Sequence, residues 1–70
     1  MSAKNFDAFG HAQDSLIGRL MAGAIATKDL PAAHGKHVER LVAAGFGYDE
    51  SSQAFWDAVS VSRGEENDSN

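Results

Sequence analysis

The chain has 70 residues with no cysteine and one proline, and its ten acids against six bases give a formal charge of −4. Thirty residues are hydrophobic, but twelve of these are alanine, which leaves eighteen larger apolar side chains for a core. That arithmetic limits the chain to one small domain and excludes a disulfide framework, a thiolate metal site and a cysteine nucleophile. The longest apolar run, from Leu20 to Ala26, has seven residues. A bilayer span needs roughly 18–20, and the opening residues do not read as a signal peptide. A soluble, cytoplasmic domain is expected.

Charge divides the chain in two. Residues 1–63 hold seven acids and all six bases, while 64–70 add Glu65, Glu66 and Asp68 with no base. The first part is expected to form a single helical domain and the second a disordered acidic tail, because that composition lacks the apolar area to offset ordering entropy. The one cationic concentration, Lys36 and Arg40 with His37, falls short of a stripe that tracks phosphates. Nucleic acid is therefore not the expected main partner.

Alanine-rich composition with few β-branched residues favours helices throughout. The first helix is expected from Ser2 or Asn5, either of which serves as N-cap, to about Thr27. Phe6, Phe9, Leu16, Ile17, Leu20, Met21, Ala24 and Ile25 recur at three- and four-residue steps and form one broad apolar stripe. Asp29 announces the second helix, with Leu30 and Pro31 in its first turn, where proline's missing N–H costs nothing. His34, Val38, Leu41 and Val42 share one of its faces, and Gly45 stops it. The third helix is expected from about Glu50 to Ser62 after a cap at Asp49 or Ser51, with Phe55, Trp56 and Val59 on one side. The resulting fold class is an all-α, three-helix domain with a long helix 1 and two shorter helices. Its core is expected to join Phe6 and Phe9 to Phe46, Tyr48, Phe55 and Trp56, since aromatics bury about 150–250 Å² each.

Few residues invite chemistry. His34 and His37 stand three apart on one helix, a spacing compatible with zinc. A site needs further ligands, and Asp29 and Glu39 are poorly placed to supply them. His11 stands alone. Ser15, Ser51 and Ser52 read as surface and capping residues, and the adjacent acids Asp49 and Glu50 suit the positive end of a helix dipole. No glycine-rich phosphate loop is present. Catalytic residues, metal and cofactor are accordingly all expected to be absent.

The other face of helix 1 is more informative. Ser15, Gly18, Ala22 and Ala26 form a strip of small side chains that permits close approach of a second helix. With Leu16, Ile17, Leu20, Met21 and Ile25 around it, the segment is apolar or small on nearly every side except at Arg19. A helix apolar all round is normally buried all round. The residues expected to contact a partner or a second copy are Leu16, Ile17, Gly18, Leu20, Met21, Ala22 and Ile25, joined by Tyr48 next to two glycines. Phe46 and Trp56 are second candidates, with core filling as their other role.

The stretch Leu41-Val42-Ala43-Ala44-Gly45-Phe46, followed by a helix carrying Ala54-Phe55-Trp56, resembles part of a ubiquitin-associated domain, without that family's loop methionine. A glycine-capped turn between two helices gives the same pattern, and the turn is the reading kept. The function expected is a non-enzymatic helical interaction module, an inhibitor, adaptor or regulator that occludes a host or cognate protein, with a homodimer favoured. In size and composition it resembles the accessory proteins of phages and mobile elements. The alternative is a helix-turn-helix-like DNA-binding regulator that reads with Lys36, His37 and Arg40.

Overall fold

A computed structural model describes residues 3–64. Three α-helices, α1 (Phe6–Met21), α2 (Leu30–Ala43) and α3 (Tyr48–Arg63), pack together, with a single 3-10 turn at Thr27–Asp29 leading into α2. The fold is all-α, and no strand occurs among the described residues. The expected acidic tail lies outside the described residues, apart from Gly64.

Asn5 caps α1, its side-chain oxygen accepting from the Ala8 N–H at 3.1 Å. The helix stops at Met21, six residues before the expected end. Gly23 adopts φ +74, and the following N–H groups turn back on the helix. Gly23 donates to the Leu20 carbonyl at 3.1 Å and Ala24 to that of Arg19 at 2.9 Å. That pair of bonds is a Schellman ending, which satisfies carbonyls the last turn leaves open. Gly23 is therefore a stop signal rather than an interior helix residue. With 16, 14 and 16 residues, α1 is no longer than α3, contrary to expectation.

α2 ends the same way. Gly45 has φ +101 and donates to the Val42 carbonyl, while Phe46 donates to that of Leu41 at 3.0 Å. Phe46 and Leu41 also share a core cluster, the apolar contact that accompanies this motif. α3 begins earlier than expected, at Tyr48, with Gly47 as its cap residue. Glu50 reaches back to accept from the Gly47 N–H at 3.2 Å. Ser51, one of the expected caps, is instead fully buried and donates to the Gly47 carbonyl at 2.7 Å.

Two clusters make the core. Ala12, Leu41, Phe46 and Ala54 form one, with Phe9 and Ala44 against it. Leu16, Phe55, Ala58 and Val59 form the other, covered by Ile17, Leu20, Ile25, Leu30 and Ala33. Leu16, Leu41 and Phe55 are almost wholly enclosed, which stabilises the fold by about 1.5–3 kcal/mol for each side chain. Phe46 joins the two ends of the chain as expected, edge-on to Phe6 at 5.4 Å and tilted against Phe9 at 4.9 Å. Phe6, Tyr48 and Trp56 depart from the expected core: Phe6 and Tyr48 stay largely exposed and Trp56 about half so, the last two at the margin of α3 beside His34.

Lys4 and Asn5, just before α1, are fastened to the α2–α3 turn and the first turn of α3. Asn5 N–H donates to the Ala44 carbonyl at 2.9 Å. Lys4 donates to Glu50 at 2.9 Å and lies 5.4 Å from the centre of the Phe46 ring.

Candidate functional site

The helical period places His34 in the second turn of α2, opposite Ser52, Phe55 and Trp56 of α3. Its Nε2 and the Ser52 hydroxyl are 2.8 Å apart. The imidazole meets Phe55 edge-on at 5.2 Å and Tyr48 at 6.5 Å, and lies near-parallel to Trp56 at 5.9 Å. Phe55 anchors this group in the core, so His34 bridges the interior to two exposed aromatics. Beside it, an open groove of about 460 Å³ follows the outer face of α2, from His34 and Gly35 through Val38 to Val42 and Tyr48. Val42 is 47% exposed, Tyr48 61% and Trp56 46%, a concentration of apolar surface that folding leaves uncovered. Glu39 is the one acidic residue lining this groove.

No family model, curated protein or solved structure matches the chain.

His37 points elsewhere. It is buried rather than outward, and its Nε2 donates to the Gln13 side-chain oxygen at 2.6 Å. Gln13 in turn donates to the Ala54 carbonyl at 3.0 Å, which fixes the orientation of its amide. Burial holds the His37 imidazole below its ordinary pKa, and the positive charges of Arg40 and Arg19, with His34, push the same way. His34 and His37 are thus committed to different partners. Among the described residues no three His, Asp or Glu side chains converge on a metal-sized space.

The Ser52–His34 contact resembles half of a nucleophile arrangement. Among the described residues no carboxylate pairs with the imidazole, so the orienting third member of such a set is absent. Here the contact holds a ring in place between aromatic neighbours. Asp49 and Glu50 occupy the first turn of α3, and Lys4 together with the Gly47 N–H draws the Glu50 carboxyl below its ordinary pKa.

Part of the expected partner surface on helix 1 packs against the chain's own core. Leu16 is 1% exposed, and Ile17, Leu20 and Ile25 pack against its cluster. The turn at Gly23 makes this possible, because it folds Ile25 back onto Leu30 and Val59, and it takes Ala26 out of the strip of small residues. Gly18, Met21 and Ala22 stay at the surface, with Met21 69% exposed. Tyr48 is exposed, which suits its place among the expected contact residues and not its place in the expected core. The residues missed are His34 and Ser52 as a pair, and Val42, which helical periodicity had grouped with Val38 and Leu41 on one face.

Proposed function

We propose that this chain is a non-enzymatic helical interaction module that binds and occludes a partner protein, acting as an inhibitor, adaptor or regulator. The observation that carries this reading is the uncovered apolar surface of Val42, Tyr48 and Trp56 around the half-buried His34. Exposed aromatics on a rigid helical frame are common anchors of protein interfaces. The complementary surface is an amphipathic helix whose apolar side chains enter the groove beside α2, with a basic residue placed to meet Glu39. The small, cysteine-free, acidic chain is of the kind that phages and mobile elements direct at host machinery, so the native host is the place to seek the partner.

The test is affinity capture from native host lysate with three baits. The wild type is expected to retain a specific protein that the double variant Tyr48→Ser, Trp56→Ser loses and Met21→Ser keeps. Equal retention by all three overturns the assignment of this face. Sedimentation of the same proteins shows whether a second copy occupies it, in which case the double variant shifts toward monomer.

One observation favours the DNA-binding alternative. Arg19 of α1 joins Lys36 and Arg40 of α2 at a common hollow, which enlarges the cationic spot. Binding to duplex DNA that strengthens steeply as salt falls supports that reading.

A further inference from the structure

On the α1 side of α2, away from the aromatic groove, Arg19, Lys36 and Arg40 line a concave pocket of about 50 Å³ with Ala33 and His37. The space is on the scale of a few waters or one tetrahedral oxyanion, far below the roughly 300 Å³ of an organic-ligand pocket. Three of the six bases of residues 1–63 meet here. None of the three is in an ion pair among the described residues, where Lys4–Glu50 is the pair formed. Converging like charges without an acid between them repel, and a bound anion relieves that repulsion.

We propose that this pocket binds a single phosphate group, either inorganic phosphate or the head of a phosphomonoester. Two guanidinium groups and an ammonium supply the charge and the hydrogen-bond donors such a dianion requires. The helical frame presets their spacing. Lys36 and Arg40 stand one turn apart on α2, and Arg19 faces them from α1. His37 contributes a fixed wall, because Gln13 holds its ring. Arg40 and Arg19 stand close enough to the imidazole for their charge to add to burial in lowering its pKa. One group is favoured over a nucleic-acid backbone because the charge does not continue along the surface. Lys4 is paired with Glu50, Arg63 lines a separate hollow with Leu20, Ile25 and Leu30, and Glu39 flanks Lys36 and Arg40 on the outer side.

The experiment is an NMR titration of the full chain with inorganic phosphate, with phenyl phosphate, and with chloride at matched ionic strength. Saturable shifts at Arg19, Ala33, Lys36, His37 and Arg40 are expected with phosphate and absent with chloride. Phenyl phosphate binding more tightly at the same residues assigns the pocket to monoesters, and equal binding assigns it to the free ion. Arg19→Gln, Lys36→Gln and Arg40→Gln are each expected to weaken binding about tenfold, with the fold intact by circular dichroism. Lys28→Gln and Arg63→Gln are expected to leave it unchanged. The proposal is overturned by shifts that chloride reproduces, by control variants that weaken binding as much as Arg40→Gln, or by duplex DNA binding without any response to free phosphate.

Discussion

Gln13 and His37 meet at 2.6 Å across the α1–α2 boundary, and the same glutamine amide donates to Ala54 on α3. A single side chain thereby hydrogen-bonds to both other helices. In a core made chiefly of alanine and larger apolar side chains, this is a polar bridge among all three helices.

Truncating that bridge leaves the His37 Nε2–H without its partner and takes from the Ala54 carbonyl the bond it accepts beyond its helical one. Gln13→Ala is expected to destabilise the fold by about 1–3 kcal/mol. Equilibrium unfolding in urea measures it, and a loss near zero shows that water replaces the amide.

Acidification adds a second signature. The unfolded His37 gains its proton near the ordinary 6.5, while burial and its cationic neighbours delay this in the folded state. Below that pH the unfolded state holds more protons, so stability falls as pH drops through the window below 6.5 and levels off past the folded value. Glu50 acts in a lower window. Its carboxylate is held ionised by Lys4, so its contribution is present above 4.5 and lost as pH falls further. Thermal melts across this range are expected to show the upper step vanish in His37→Gln and the lower one remain.

The two glycine turns differ in how tightly they are surrounded. A Cβ on Gly23 meets nothing within 4 Å, so Gly23→Ala is expected to lose only the roughly 1–2 kcal/mol of left-handed strain. A Cβ on Gly45 comes 3.0 Å from the Ala3 carbonyl oxygen and 3.2 Å from the Lys4 Cα. Gly45→Ala is expected to destabilise the protein more than Gly23→Ala, because it also displaces the chain start. Reversal of that order in urea melts contradicts the packing described.

Helix 1 supplies a contrasting pair. Leu16→Ala removes an enclosed side chain and is expected to lower stability by about 2–5 kcal/mol. That is a large share of the roughly 3–10 kcal/mol typical of a chain this size. Met21→Ser alters an exposed position and is expected to stay within about 0.5 kcal/mol. Comparable losses from both variants show that Met21 is covered in solution.

Helix number and order were legible in the sequence because the signals are local: Asn5 as one of two candidate caps, Pro31 in a first turn, Gly45 as a stop. Gly23 was misread because an unbroken apolar pattern runs through it, and periodicity cannot distinguish a continuing helix from a turn that returns Ile25 to the same core. The surface was less accessible to such reasoning. Val38 and Val42 occupy neighbouring positions on α2, yet one is buried and the other half open. That difference is set by where α3 crosses α2, which no local spacing encodes. His37 was placed outward with Lys36 and Arg40 for the same reason, since its inward contact depends on Gln13, 24 positions earlier.

The bond from Asn5 to Ala44, with Lys4 reaching Glu50, works as a clasp on one end of the bundle. Fraying is thereby steered to the opposite end. The bonded amides of the Gly23 turn will exchange with solvent before the clasped Asn5 amide, so the chain opens from its first interhelical bend rather than from the clasp.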